Sequence, residues 1–258
     1  MLLWLRSALY MTGWALNTVL CAIGCMLALP LPYKARYAVV SYWSRFAIWW
    51  LALTCGLRGR IIGQENLPAQ AAVVMSKHQS AFETMALQAM LPLTAWVVKR
   101  ELLRIPFFGW GMWSLRPIAI DRSNPREASR QLIQQGGAKL RSGAWIVIFP
   151  EGTRVAAGQR GRYKQGGARV ACGAGVPVVP VAVNSGEFWP RNSFLKYPGE
   201  ITISIGPAIP TQGKTPEQVS EAVEAWIEAE MVRISGVGPC WPKSRKPAEI
   251  HGSNALAG

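Results

Sequence analysis

From Arg60 onward, short runs rich in β-branched residues alternate with longer runs of helical character. Strands are predicted at Arg60–Gly63, Ala71–Ser76, Ala95–Lys99, Pro117–Asp121, Trp145–Phe149, Val178–Val183 and Ile201–Ile205. Helices are predicted at Ala81–Met90, Arg126–Arg141, Gly167–Gly175 and Pro216–Ile234. This alternation predicts an α/β fold, in which a mixed, largely parallel central sheet of about seven strands is flanked by helices.

The stretch before this pattern is apolar. Ser7 to Leu29 is a run of 23 residues without a charge, and a helix of that length measures about 35 Å, enough for a hydrocarbon core of about 30 Å. Pro30 and Pro32 end that helix. A second apolar stretch, Tyr37 to Leu57, is amphipathic enough to lie in a membrane interface. We predict an N-terminal two-helix membrane anchor, a hairpin or a re-entrant pair; a single clean span and a cleaved signal peptide are the alternatives.

Three regions follow from these patterns. Residues 1–57 are predicted to form the hydrophobic anchor, and residues 58–235 the α/β domain. Residues 236–258 are rich in Pro, Gly, Ser and Lys, a composition that predicts a mobile basic and polar tail.

The charge of the chain indicates an anionic partner. The net charge is +14, and twelve tryptophans accompany it, a combination typical of proteins that bind membrane surfaces with anionic headgroups. Nucleic acid is disfavoured because no helix-turn-helix, zinc-finger or RNP-type pattern is present. Arg6, Arg58 and Arg60 flank the apolar block, which predicts the cytoplasmic face, that of the inner membrane if the protein is bacterial.

A histidine lies where one predicted strand gives way to a helix. His78 follows the strand that ends at Ser76, and Glu83 lies five residues further on, in the first turns of the helix. Because imidazole alone titrates unperturbed near neutral pH, and His251 lies in the predicted tail, His78 is the candidate general base. Glu83 is the candidate partner that steadies the imidazolium. The alternative is that both residues serve only the helix end.

Basic side chains stand at the ends of three further predicted strands: Lys99, Arg122 and Arg154. In α/β sheets ligands bind at the carboxyl ends of strands. Gly152 lets backbone N–H groups approach an anion, and a guanidinium suits a phosphate. Glu151 is expected to hold Arg154 or to accept from a substrate hydroxyl. Taken alone, this stretch also fits a surface turn with a solvated arginine.

These residues fall into four blocks: His78-Gln79-Ser80-Ala81-Phe82-Glu83, Pro117-Ile118-Ala119-Ile120-Asp121-Arg122, Phe149-Pro150-Glu151-Gly152-Thr153-Arg154 and Val178-Val179-Pro180-Val181. In these blocks, in their order and in their spacing, the chain resembles the 1-acyl-glycerol-3-phosphate acyltransferase family of membrane glycerolipid acyltransferases. The resemblance covers roughly Leu57 to Ile209. It departs from the family at one position, since the first block of the family is H-x4-D and this chain has Glu83 in place of the aspartate.

The resemblance implies that residues 58–235 form a catalytic acyltransferase domain. His78 and Glu83 would be catalytic, and the residues that bind the acceptor phosphate would be Lys99, Arg122, Glu151, Gly152, Thr153 and Arg154. The reaction would move an acyl chain from acyl-CoA or acyl-carrier protein to the sn-2 hydroxyl of lysophosphatidate, giving phosphatidic acid, without an acyl-enzyme, a cofactor or a metal. Two alternatives remain: the same chemistry on another lysolipid acceptor, and a non-catalytic membrane protein that binds anionic lipids.

Overall fold

The computed structural model describes residues 1–121 and 124–242. The helices are α1 (Leu2–Leu27), α2 (Tyr33–Cys55), α3 (Phe82–Met90), α4 (Phe108–Ser114), α5 (Pro125–Arg141), α6 (Gly166–Ala174) and α7 (Pro216–Ile234). The strands are β1 (Leu57–Ile62), β2 (Val73–Ser76), β3 (Thr94–Lys99), β4 (Ile118–Ile120), β5 (Trp145–Ile148), β6 (Val178–Val183) and β7 (Gly199–Ile205).

The seven strands form one sheet in the order β1-β7-β6-β2-β5-β3-β4. Every neighbouring pair is parallel except β6 and β7, which are antiparallel. The predicted mixed, largely parallel sheet flanked by helices is therefore confirmed. Since β6, β2, β5, β3 and β4 all run the same way, their carboxyl ends meet at a single edge, where the predicted site residues follow the strands.

Helices cover both faces of the sheet. Val74 of β2 packs into a core that includes Phe82 of α3 and Leu51 of α2. Its neighbour Val73 points to the opposite face and joins a core with Val170 of α6 and Val223 of α7. Successive strand residues alternate between faces, so burial on both sides explains why these strands are continuous apolar runs.

The last helix begins as its sequence predicts. Thr215 Oγ1 accepts from the N–H of Gln218, and the Gln218 side chain accepts from the N–H of Thr215, which closes a capping box in front of Pro216.

α1 and α2 pack against each other and on the α/β domain. Trp43 of α2 donates to Thr18 of α1 at 3.0 Å, and Asn17 donates to the Trp43 carbonyl at 3.1 Å. α1 starts at Leu2, five residues before the predicted uncharged stretch, and so includes Arg6. Within the described part of the chain, α1 is the one helix whose length and mean hydropathy of 1.4 would suit a membrane crossing.

A buried lysine fixes the start of α1 to the domain. The Lys196 N–H donates to Ser7 Oγ at 3.0 Å, and its Nζ donates to the Phe194 carbonyl at 2.7 Å. Nζ also lies 5.3 Å from the ring centre of Tyr10 and 4.9 Å from that of Trp189. Burial lowers the pKa of Lys196 to about 8. These contacts make α1 part of the domain surface along its first turns.

The start of the predicted mobile tail is packed on the domain. The buried Glu187 carboxylate accepts from the backbone N–H groups of Gly236, Val237 and Gly238 at 2.7 to 3.1 Å. The Cys240 N–H donates to the Glu187 carbonyl at 2.9 Å. The polar composition predicted mobility from residue 236, and these bonds correct that expectation for its first residues; residues 243–258 lie outside the described chain.

Candidate active site

His78 lies in the short link between β2 and α3. Its Nδ1 is 2.7 Å from Glu83 Oε1, so the two side chains predicted to work together are in direct contact. One face of the imidazole stacks on Phe149, with ring centres 3.8 Å apart and planes 11° from parallel. The ring is therefore held on one face and at one nitrogen, while 14% of the side chain stays exposed.

The Glu83 carboxylate is fully buried and accepts five hydrogen bonds. Oε1 accepts from His78 Nδ1 and from the N–H groups of Gln79 and Ser80, at 2.7 to 2.8 Å. Oε2 accepts from the hydroxyls of Ser80 at 2.9 Å and Ser185 at 2.7 Å. Burial by itself raises the pKa of Glu83, but the contacts with His78, Ser185 and Ser80 outweigh it and leave the pKa below its ordinary value.

An ionised Glu83 fixes the tautomer of His78. A carboxylate accepts hydrogen bonds only, so Nδ1 carries the proton and the lone pair lies at Nε2. The Ser80 hydroxyl already has two partners, because its Oγ also accepts from the N–H of Phe82, the first residue of α3, at 2.9 Å. The arrangement can take a proton at His78 Nε2 and stabilise the resulting imidazolium.

The side chain of Glu151 has partners that differ from the expected ones. Its Oε1 pairs with Lys77 Nζ at 2.8 Å, and its Oε2 accepts from the N–H of His78 at 3.0 Å. The side chain is fully buried, so the expectation that it holds Arg154 or meets a substrate hydroxyl is corrected. The reason is Lys77, a buried cation that requires a carboxylate beside it.

The remaining residues of this block form the turn after β5. Gly152 has φ +70°, a left-handed conformation that favours glycine, whereas a Cβ there would meet only the flexible end of the Lys164 side chain. Its own N–H donates to the Phe149 carbonyl at 3.0 Å and stabilises the turn. Thr153 is exposed and Arg154 is partly exposed.

The two other predicted phosphate-binding residues are Lys99, the last residue of β3, and Arg122, which comes after β4 in the sequence. Lys99 ends β3, its side chain is 48% exposed, and its Nζ is 3.2 Å from Glu101 Oε1. Two strand spacings of ~4.8 Å separate β3 from β2, which leaves room for a substrate between Lys99 and His78. Arg122, which follows β4, lies outside the described residues. Among residues 1–121 and 124–242, no three His, Cys, Asp or Glu side chains group so as to hold a metal.

Sequence reasoning missed several residues that support the site. They are the ring of Phe149, the hydroxyl of Ser185, and the buried side chains Lys77, Tyr163 and Glu228. Only Lys77 left a signal, because a charge directly after a buried apolar strand indicates a partnered cation. Phe149 belongs to the third sequence block, but nothing in the sequence indicates that its ring stacks on His78. The other three residues lie far from His78 in the sequence and carry no local signal.

Comparisons with family models and with known proteins agree on an acyltransferase family. Residues 58–184 match the family model described as Acyltransferase. A 1-acyl-sn-glycerol-3-phosphate acyltransferase of Pseudomonas aeruginosa is 46% identical over 211 residues, which are 80% of this chain and 82% of that protein. The human 1-acyl-sn-glycerol-3-phosphate acyltransferase alpha is 30% identical over 167 residues, 64% of this chain and 59% of that protein.

A solved structure shares the fold. The crystal structure of the 1-acyl-sn-glycerophosphate (LPA) acyltransferase PlsC from Thermotoga maritima superposes with a TM-score of 0.74 at 21% identity, covering 90% of this chain and 97% of that one.

Proposed function

The chain belongs to the 1-acyl-sn-glycerol-3-phosphate acyltransferase family, and we propose that it acylates the sn-2 hydroxyl of 1-acyl-glycerol-3-phosphate from a thioester donor, giving phosphatidic acid. The observation that carries this proposal is the contact of 2.7 Å between His78 Nδ1 and the buried Glu83 carboxylate, at the edge where the parallel strands end. That contact prepares Nε2 to accept a proton from an alcohol.

The proposed reaction is a direct transfer. His78 Nε2 takes the proton of the sn-2 hydroxyl while its oxygen bonds to the thioester carbonyl carbon. The tetrahedral intermediate then breaks its C–S bond, and the imidazolium returns the proton to the leaving thiolate. Glu83 stabilises the imidazolium between these steps. The chain supplies an acid–base group, and the proposal requires neither a cofactor nor a metal.

We assign the acceptor phosphate to the basic residues at the strand ends. Lys99 ends β3, Arg122 follows β4 in sequence, and Arg154 stands in the turn after β5. The Val155 N–H donates to the His78 carbonyl at 2.8 Å, so the backbone beside Arg154 is tied to the candidate base. A phosphate held by this guanidinium would bring the adjacent glycerol hydroxyl within reach of His78.

Arg154→Ala is expected to raise the KM for 1-acyl-glycerol-3-phosphate by about 10- to 100-fold, because a charge-assisted contact of roughly 1.5–3 kcal/mol is lost. Turnover of 1-acylglycerol, which lacks the phosphate, is expected to stay unchanged. The measurement is initial rates on both acceptors with one labelled donor.

Arg169→Ala is the matched control, since Arg169 is an exposed arginine on α6 bonded to Gln165 at 2.9 Å. It is expected to leave both rates unchanged. An equal loss of initial rate with the two acceptors in Arg154→Ala would show that Arg154 does not bind the phosphate.

The donor is proposed to be acyl-CoA or acyl-carrier protein. Both offer a thioester together with negative charge, and the net charge of +14 favours encounter with either.

The membrane is proposed as the source of the acceptor. Large apolar side chains are exposed along α1, α2 and the segment around α4: Leu2, Leu5, Leu9, Leu16, Leu20, Ile23, Leu27, Tyr42, Phe46, Trp49, Leu53, Phe107, Trp110 and Trp113. Exposed apolar side chains that include tryptophans and are flanked by arginines suit the headgroup boundary. Arg6, Arg58 and Arg60, which flank the apolar block, favour binding at the cytoplasmic face of the membrane.

We propose that α1 lies in the interface and does not cross the bilayer. It contacts the α/β domain near its start through Ser7, in its middle through Trp14, whose ring is 6.5 Å from that of Trp189, and near its end through Ala22, beside Gly111 of α4. A single spanning helix would instead face lipid on all sides.

Replacing Phe46, Trp49 and Leu53 of α2 with serine is expected to weaken binding to vesicles containing anionic lipid by at least about tenfold, since each buried side chain contributes roughly 1.5–3 kcal/mol. Vesicle co-sedimentation measures the loss. Val237→Ser removes an exposed apolar side chain outside α1, α2 and the segment around α4 and is expected to leave binding unchanged. Wild-type binding of the triple variant would place the membrane contact elsewhere.

A further inference from the structure

A buried lysine directly precedes the candidate base. Lys77 is 1% exposed. Its Nζ lies 2.8 Å from Glu151 Oε1 and 2.8 Å from Glu228 Oε1, and it donates to the Gln159 carbonyl at 3.2 Å. A buried ammonium is tolerated only with such partners. The three groups therefore form one unit in which a single cation serves two carboxylates.

The second carboxylate comes from the far end of the chain. Glu228 lies on α7, and its Oε1 also accepts from the Tyr163 hydroxyl at 2.8 Å. Tyr163 stands in the segment between the turn after β5 and α6. Glu228 thus joins the C-terminal helix to β2 through Lys77 and to the segment before α6 through Tyr163.

The unit ends on the backbone of His78. Glu151 Oε2 accepts from the His78 N–H at 3.0 Å, while the His78 carbonyl accepts from Val155 at 2.8 Å. Both backbone groups of His78 are therefore held by residues 151–155, the segment that carries Arg154. Burial raises the pKa of Glu151, and Lys77 acts against this rise. The lysine therefore favours the ionised form of Glu151, which accepts the hydrogen bond from the His78 N–H more strongly than the neutral form does.

We propose that Lys77, Glu228 and Tyr163 are positioning residues that hold the Glu151 carboxylate against His78 and so align the base with the phosphate-binding segment. This inference rests on the proposed function, since it assigns the network to the proton transfer by His78. A catalytic group displaced by about 1 Å can lose about 100-fold in rate, so a network that touches no substrate still sets turnover.

The test must separate positioning from folding, because Lys77→Met alone leaves two buried carboxylates without a cation and is expected to lower the Tm. Adding Glu228→Gln removes one of those charges while keeping the shape of the side chain. The double variant is expected to regain most of the Tm but not the kcat, which stays at least about tenfold below wild type. The KM values for 1-acyl-glycerol-3-phosphate and acyl-CoA are expected to stay within about twofold of wild type.

Arg160→Met with Glu224→Gln is the matched control, since this pair also joins the segment before Tyr163 to α7 but lies at the surface and makes no described contact with His78. It is expected to keep wild-type kcat. A Lys77→Met/Glu228→Gln variant with recovered Tm and wild-type kcat overturns the inference. The inference is also overturned if kcat and Tm fall together in Lys77→Met and recover together in the double variant. If the wild-type protein transfers no acyl group, the proposed function itself has failed.

Discussion

His78→Ala is expected to lower kcat for acyl transfer to 1-acyl-glycerol-3-phosphate by about 10²- to 10⁴-fold, the range that general-base catalysis contributes. The ring is fixed by Glu83 at Nδ1 and by stacking on Phe149, and alanine leaves nothing at the position of Nε2 that accepts a proton. The KM of the thioester donor is expected to stay close to wild type. Initial rates with purified protein in mixed micelles measure both quantities.

The control for this variant is His251→Ala, which changes the other histidine of the chain and is expected to leave the rate unchanged. A His78→Ala protein that keeps substantial turnover would remove the base from the mechanism. It would also restore the alternative in which the chain only binds anionic lipid.

Glu83→Gln is expected to lower kcat by about 10²-fold or more, because the imidazolium loses its negative partner in a buried site. The geometry favours a clean test. A glutamine oxygen can accept from the N–H groups of Gln79 and Ser80 in place of Oε1, and its amide can donate to the hydroxyls of Ser80 and Ser185 in place of Oε2. The substitution therefore removes the charge while the hydrogen bonds can be kept, and kcat and Tm should be measured together.

Two further variants separate charge from contact. Ser185→Ala removes one hydrogen bond to Glu83 and keeps the carboxylate, so a loss of only about two- to tenfold is expected. Glu83→Asp keeps the negative charge but shortens the side chain by one methylene. Since the Glu83 carboxylate contacts His78 and the hydroxyls of Ser80 and Ser185 together, the shorter side chain is expected to leave partial activity. A Glu83→Gln rate equal to wild type would show that the charge has no part in catalysis.

The structure explains how Glu83 fits at the position where the first block of the family, H-x4-D, has aspartate. The carboxylate reaches His78 Nδ1 at 2.7 Å and still contacts Ser185, which follows the neighbouring strand β6. Its longer side chain is thus satisfied on both oxygens.

The strands and most helices of the α/β domain were predictable because each carries a local signal. β6 was predicted with its observed bounds, and α7 began at the expected Pro216 after a Thr215 cap. α4 was missed because two of its seven residues are glycines, which disfavour helices. Those glycines permit close packing: a Cβ on Gly109 would lie 2.4 Å from the Leu103 carbonyl oxygen.

The contact between His78 and Glu83 was predictable from the sequence, whereas the buried connections around it were not. His78 and Glu83 are five residues apart, so a local pattern revealed their pairing. Lys77 meets Glu228 across a sequence separation of 151 residues, and only the packing of α7 on the sheet brings them together. The partner of Glu151 was predicted wrongly for the same reason, since the competing cation was a buried lysine rather than the nearby Arg154.

The most direct test of acyl transfer by His78 is the release of thiol from the acyl donor, measured with and without 1-acyl-glycerol-3-phosphate in wild-type and His78→Ala proteins. Direct transfer by His78 predicts that wild-type release requires the acceptor, equals the phosphatidic acid formed, and is lost in His78→Ala. Release stoichiometric with protein in the absence of acceptor, or equal release by the two proteins, would contradict it.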